Sequence, residues 1–269
     1  MKKLWGKNKD VSVKVAAMKA SHLAHAEKET PSILECFRGT NLIRTGISTG
    51  VFLCQHLVGI VFVLGYSSYF FQLAGLNPGR SFDLGVGVTA CGVLGNFLSW
   101  FTVNRFGRRF NFILGMAVLT SLLLLIGIMD VVPSSGAKWV QAAATVIYAF
   151  VYFNTIGALA FVLLGEVSTP SLRGHTTALA TATQSILGIV MNVAIPYMVN
   201  PDEANMRGKV GFVFGGLAAV GTVVSFFYIP ELKGKSFDQI NTLFENKVPP
   251  RHMGSYRLED SEYTEHEKA

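Results

Sequence analysis

Residues 109–130 read RFNFILGMAVLTSLLLLIGIMD. Between Arg109 and Asp130 lie 20 residues without an Asp, Glu, Lys or Arg. About 20 mostly apolar residues are what a helix needs to cross a hydrocarbon core roughly 30 Å thick, at about 1.5 Å of rise per residue. A soluble helix of this length keeps a charged face for water, and this stretch has none to offer. Working outward, the same reading applies five more times. Residues 45–79, 84–104, 139–165, 174–201 and 210–230 are charge-free runs of 21 to 35 residues. The sequence therefore predicts an all-α protein with six membrane spans.

Composition agrees with that reading. Charged residues make up 15% of the chain, well below the ~25% of soluble domains. Mean hydropathy is +0.40. The net charge of +6 does not call for nucleic acid, because the basic residues follow the membrane. Nineteen of the 23 fall before the first span, in the loops after spans two and four, or in the tail; Arg80, Lys138, Arg207 and Lys209 fall on the other side. Positive-inside bias then predicts both termini in the cytoplasm, as an even number of spans requires.

The chain divides into a polar lead (1–43), a membrane domain (44–230) and a tail (231–269). Residues 1–30 carry lysines throughout and no apolar core, so they do not read as a signal peptide. Residues 11–29 have the pattern of a helix with apolar and basic faces. In the tail a helix is expected from Ser236 to about Asn246, with Ser236 as N-cap and Asp238 and Gln239 in the first turn. Disorder is expected after Pro249-Pro250. Cys36, Cys54 and Cys91 have no metal-ligand spacing and read as packing residues. No cofactor or metal is implied. An enzyme would need paired acids or an activated nucleophile in a cavity, and His56 is the one titratable side chain well inside a span apart from tyrosines.

Polar groups within spans mark protein interiors or aqueous paths. Gln55 and His56 lie side by side near the middle of the first span. Gly59 and Gly65 follow, and two glycines six residues apart predict that the outer part of that helix bends or breaks. Gln55 reads either as a cavity group or as a bond between helices. Gln184, Gly188 and Asn192, spaced by four, share one helix face that is either a cavity wall or a seam. The fourth span has Asn154, Gly157 and then Phe161, an aromatic ring suited to stack on a sugar or simply to pack. At the inner membrane edge, Arg105 and Arg109 are placed to pair with Glu166 and Glu231, with Arg173 close by, as a gate that closes and opens.

The ordered set of motifs resembles the C-terminal half of a sugar porter of the major facilitator superfamily, of the fungal maltose and α-glucoside permease type. Gln55-His56-Leu57-Val58-Gly59 stands at the family's Gln-Gln-x-x-Gly. Asn104 to Arg109 stands at Asp-Arg-x-Gly-Arg-Arg. Glu166 and Arg173 match Glu-x-x-x-x-x-x-Arg, and Pro230 to Ser236 match the family's Pro-Glu-x-Lys-Gly end. The resemblance covers residues 32 to 251. It implies a six-transmembrane-helix half of the major facilitator fold, built from two three-helix repeats, in the plasma membrane. It further implies transport of a sugar or related polyol, with Gln55 and His56 contacting substrate hydroxyls and Gln184 and Phe161 helping. Arg105, Arg109, Glu166, Arg173 and Glu231 would form the cytoplasmic gate. Several positions depart from the pattern: Asn104 for Asp, His56 for the second Gln, Val61 and Gly92 for Asn, Ala158 for Pro, and Phe161 for Trp or Tyr. The family has twelve spans, so the expected partners are the lipid bilayer, a sugar and a missing N-terminal six-helix half. A chain truncated in this way would be incomplete alone. The alternative is a decayed, non-transporting half that serves as a membrane interaction protein.

Overall fold

The computed structural model describes residues 32–73 and 75–256. The amphipathic stretch at 11–29 and the tail beyond 256 lie outside the described residues. A 3-10 turn, Ile33–Phe37, is N-capped by Ser32. It leads into α1 (Gly39–Leu57), α2 (Ile60–Gly65) and α3 (Ser67–Leu73). Then follow α4 (Pro78–Phe106), α5 (Arg108–Val131), α6 (Ser135–Asn154), α7 (Ile156–Val167), α8 (Arg173–Val199), α9 (Val210–Tyr228) and the tail helix α10 (Phe237–Glu245). The described residues contain six helical runs long and apolar enough to cross a membrane. They match the six charge-free runs in order. The first begins at Gly39, before Arg44, so the charge that bounds it in sequence lies inside the helix and is buried.

Two of the six spans are broken, each after 19 or 20 residues of helix. After the 19 residues of α1, Gly59 adopts a left-handed conformation (φ 70°, ψ 33°) that only glycine takes without strain. An added Cβ there would lie 2.8 Å from Cγ of Phe214. After the 20 residues of α6, Thr155 breaks the fourth span (φ −119°, ψ −93°). The break at Gly59 follows the sequence expectation. The break at Thr155 was not expected: it falls two residues before Gly157, on a residue that is neither glycine nor proline.

The packing repeats in the same way. The first span packs chiefly on the fifth, the second on the fourth, and the third on the sixth. Exchanging the first three spans for the last three maps the first contact onto the second and the third onto itself. That is the pairing of a pseudo-two-fold three-plus-three repeat. Lipid tails are as apolar as leucine, so such helices associate by close packing rather than by the hydrophobic effect. The α5–α9 contact shows it: a Cβ on Gly211 would meet the Leu123 carbonyl oxygen at 2.5 Å, so only glycine lets the backbones approach. Beside Gly59, Phe62 stacks on Phe214 (centroids 5.8 Å apart, 18°) and meets Phe70 edge-on (5.6 Å, 88°).

The tail is fastened to the near end, where the first span starts. Ser236 caps α10, as the sequence suggests, and forms in addition a reciprocal capping box with Gln239. Ile240, Leu243 and Phe244 are buried. Order does not stop at Pro249-Pro250. Pro250–His252 form a 3-10 turn, Met253 is fully buried, and the Lys235 ammonium donates to the Tyr256 carbonyl at 3.1 Å. The expectation of disorder is corrected for residues 250–256: α10 ends at Glu245, before the prolines, and the chain stays docked because Met253 finds an apolar seat in the core.

Candidate functional site

A cavity of about 540 Å³ lies where α1, α4, α6, α7 and α8 converge. Its wall includes Gln55 from α1, Asn96, Ser99, Trp100 and Asn104 from α4, and Arg108 at the start of α5. Tyr152 and Phe153 come from α6, Gly157, Ala158 and Phe161 from α7, and Gln184 from α8. Amides, hydroxyls and aromatic rings dominate this wall.

Gln55 is buried and bridges three helices. Its Nε2 donates to the Ile156 and Gly157 carbonyls at 3.4 and 3.5 Å, and its Oε1 accepts from Gln184 Nε2 at 3.3 Å. The two sequence readings of Gln55, cavity group and inter-helix bond, thus both describe it. Phe161 faces the cavity and meets Phe52 edge-on at 5.2 Å. Tyr148, fully buried behind the wall, donates its hydroxyl to the Val58 carbonyl and so pins the break in the first span.

His56 is not on this wall. Successive helical residues point about 100° apart, and the ring turns toward α8, where its Cε1 would lie 3.8 Å from a Cβ on Gly188. The side chain is 6% exposed, and neither ring nitrogen has a hydrogen-bond partner among the described residues. Asn192, expected to share a face with Gln184, donates to the Gly188 carbonyl of its own helix.

Charged groups cluster at the near end, with pairings that differ from those expected. Arg108, not Arg105 or Arg109, holds Glu166: Nη2 lies 2.6 Å from Oε1, and Nε lies 3.2 and 3.1 Å from the two carboxylate oxygens. Glu231 pairs with no guanidinium. It accepts from the backbone N–H groups of Arg108, Arg109 and Lys233 at 3.0, 3.1 and 3.0 Å. The single linker residue between α4 and α5, Gly107 (φ 90°), leaves room for that carboxylate; a Cβ there would collide with it. The Arg109 guanidinium donates to the Ile229 and Phe226 carbonyls at the end of α9. Arg105 is exposed; its carbonyl accepts from Lys233 Nζ at 3.0 Å. Arg173 stacks over Phe237 of α10, 5.0 Å from the ring centroid. The reason is helix phase: α5 starts at Arg108, and the consecutive arginines therefore leave the axis in different directions.

Sequence reasoning missed several participants. Arg108 was hidden in a basic run. Arg44, taken as a boundary marker, donates to Thr169 Oγ1 at 3.0 Å and Asn241 Oδ1 at 2.7 Å, and stacks over Phe244 at 4.5 Å. Asn96 and Trp100 carried a signal, since a polar amide one turn from Trp100 in a charge-free run is costly unless it faces a cavity.

The sequence profile of the family described as "Sugar (and other) transporter" matches residues 1–244. The general alpha-glucoside permease of Saccharomyces cerevisiae is 29% identical over 254 residues, covering 93% of this chain and 41% of the permease. The MFS transporter fmqE of Aspergillus fumigatus is 30% identical over 230 residues, covering 85% of this chain and 43% of that protein. Among solved structures, a double-tryptophan mutant of XylE superposes with a TM-score of 0.74 at 21% identity, covering 90% of this chain and 50% of that one. The proton:xylose symporter XylE bound to 6-bromo-6-deoxy-D-glucose gives a TM-score of 0.71. This chain therefore spans about two fifths of the length of these curated relatives.

Proposed function

The chain belongs to the sugar (and other) transporter family, as a sugar porter of the major facilitator superfamily and of the fungal permease type, and from that premise we propose that it forms the C-terminal half of a transmembrane pathway for a sugar or related polyol. The observation that carries this reading is the cavity wall. Its amides and hydroxyls can exchange hydrogen bonds with hydroxyl groups, its rings can cover an apolar sugar face, and its one cation, Arg108, is neutralised by Glu166. Such a wall suits a neutral, polyhydroxylated ligand. Gln55, Gln184 and Phe161 are the proposed contacts, joined by Asn96 and Trp100; His56 stands behind them. An α-glucoside is the first ligand to try, because the relatives are named as alpha-glucoside permeases.

In this reading residues 1–43 lead in from the cytoplasm, 44–230 form the membrane domain, and 231–269 return as a cytoplasmic tail at the plasma membrane. The Arg108–Glu166 ion pair and the caps that Arg109 and Glu231 exchange between α5 and α9 are the proposed parts of an inner gate. A second six-helix half is the proposed partner. The unequal covering of the spans supports it: 11% of the most apolar window of the fifth span and 28% of the second are buried, against 61% of the first.

The experiment is uptake of labelled maltose into proteoliposomes, with the chain alone and with a co-expressed N-terminal half of a related permease. Uptake only with both halves is the expected result. Absence of uptake and of calorimetric maltose binding in the paired sample would favour a non-transporting half. That second reading has one observation in its favour: the Gln55 amide is already spent on protein groups, accepting from Gln184 Nε2 and donating to the Ile156 and Gly157 carbonyls.

A further inference from the structure

We propose that the end of the bundle opposite the α4–α5 junction carries a binding site for a phosphate-bearing anion, either a lipid headgroup or a soluble phosphate. A cavity of about 340 Å³ lies there, between the end of α5, the start of α6 and the turn before α9. Its polar lining is Asp130, Lys138, Gln141, Asn205, Arg207 and Lys209. Of the four basic residues that the sequence places on this side of the membrane, three thus converge on one concavity. Nothing in the transport reading uses them.

The three cations have no anion of their own. Among the described residues the one ion pair within 4 Å joins Arg108 and Glu166, at the other end. The single carboxylate of the cavity, Asp130, accepts from Gln141 Nε2 at 3.3 Å. Gln141 is 1% exposed and is itself anchored to the Ile126 carbonyl at 2.9 Å. Asp130 is therefore fixed in the floor, and the lining carries a surplus of two positive charges, with Asp202 and Glu203 exposed on the same turn outside it.

The turn that brings Arg207 and Lys209 over this floor is built, not loose. Asn205 and Arg207 both take φ of 48°, a conformation unfavourable for residues with a Cβ. Between Arg207 and Lys209, Gly208 is buried against the floor: an added Cβ would lie 2.5 Å from Gln141 Nε2 and 2.7 Å from Asp130 Oδ1. Arg207 uses its Nε to hold Asn205 Oδ1 at 3.0 Å, which leaves both terminal amino groups available. A guanidinium fork beside two ammonium groups matches the several acceptor oxygens of a phosphate. A neutral sugar gains nothing from the surplus charge. The cavity also lies where spans end, at the depth of lipid headgroups, so a headgroup of that leaflet is within reach of it.

The test uses the full chain, purified in neutral detergent and in phosphatidylcholine nanodiscs containing a minor fraction of phosphatidylglycerol. Retained lipid is counted by mass spectrometry, and melting is followed against inorganic phosphate. Wild type should retain phosphatidylglycerol in preference to phosphatidylcholine, or melt higher in millimolar phosphate. Lys138→Gln/Lys209→Gln should weaken the response about tenfold or more. Both lysines are exposed and neither ammonium group has a hydrogen-bond partner among the described residues, so the variant keeps the fold; Arg80→Gln, at the same end but off the cavity, should behave as wild type. A response to lipid alone identifies a headgroup site, and a response to inorganic phosphate without lipid identifies a soluble-anion site. No preference in either arm, or the same preference in wild type and double variant, overturns the proposal.

Discussion

Glu231 and Arg109 cap each other's helices. The Glu231 carboxylate, just past α9, accepts from the N–H groups of Arg108 and Arg109 that open α5. The Arg109 guanidinium, in the first turn of α5, donates to the Ile229 and Phe226 carbonyls that close α9, and lies over the Phe226 ring at 5.2 Å. A carboxylate at a helix N-terminus and a cation at a C-terminus each oppose the local end of the helix dipole. The two antiparallel helices are thus locked at one end by exchange of caps rather than by a direct ion pair.

Glu231→Ala leaves the α5 N–H groups without this acceptor. It should cost about 1–2 kcal/mol, the usual range for a lost cap, seen as a lower melting temperature in detergent. Glu231→Gln keeps one acceptor oxygen and removes the charge, so it should fall between wild type and alanine. Equal melting of wild type and Glu231→Ala would show that the cap contributes nothing.

The Arg108–Glu166 pair is bidentate, with side chains 15% and 21% exposed. A double-mutant cycle to alanine should give a coupling of about 1–2 kcal/mol, above the ~0.2–1 of exposed pairs because water screens it less. The same cycle between Arg105 and Glu166 should give a coupling near zero. Larger coupling to Arg105 or Arg109 would restore the pairing first expected from sequence.

Gly59→Ala forces a Cβ onto Phe214 and holds alanine at a positive φ. The two penalties together should cost about 2 kcal/mol or more. Gly65→Ala, where a Cβ meets nothing within 4 Å, should be close to neutral. A Gly59→Ala protein that melts like wild type would mean that the first span has no obligatory break.

Gln55→Ala and Gln184→Ala should weaken maltose binding to the paired transporter by about 1–2 kcal/mol each, the scale of a lost polar contact. His56→Leu should leave affinity unchanged. It should also raise the melting temperature, because it removes two buried nitrogens without partners. Calorimetry and melting on the same samples separate the effects. A His56→Leu protein that folds and has lost affinity would return His56 to the site.

Both ends of the topology can be marked by cysteine labelling with Cys91 replaced by Ala. In intact cells a cysteine at Ser135, exposed at the far end, should react with an impermeant reagent, and one at Ser255 should not. The reverse pattern would invert the chain in the membrane.

Six spans were determined by the sequence alone, because a charge-free run of about 20 residues is a property of the run itself and needs no partner to be recognised. The break at Gly59 and the N-cap at Ser236 were legible for a similar reason, since each rests on the backbone and side-chain chemistry of a few neighbouring residues. What the tertiary structure decided is everything that depends on direction. Gln55 and His56 are adjacent in sequence, yet one faces the cavity and the other faces α8. Arg108 and Arg109 are adjacent, yet one holds Glu166 and the other caps α9. One residue of helix turns a side chain by about 100°, so its partner is set by where another helix happens to stand. Sequence spacing cannot supply that position. The order of residues 250–256 follows the same logic, because local composition gave no sign of the distant seat that Met253 fills.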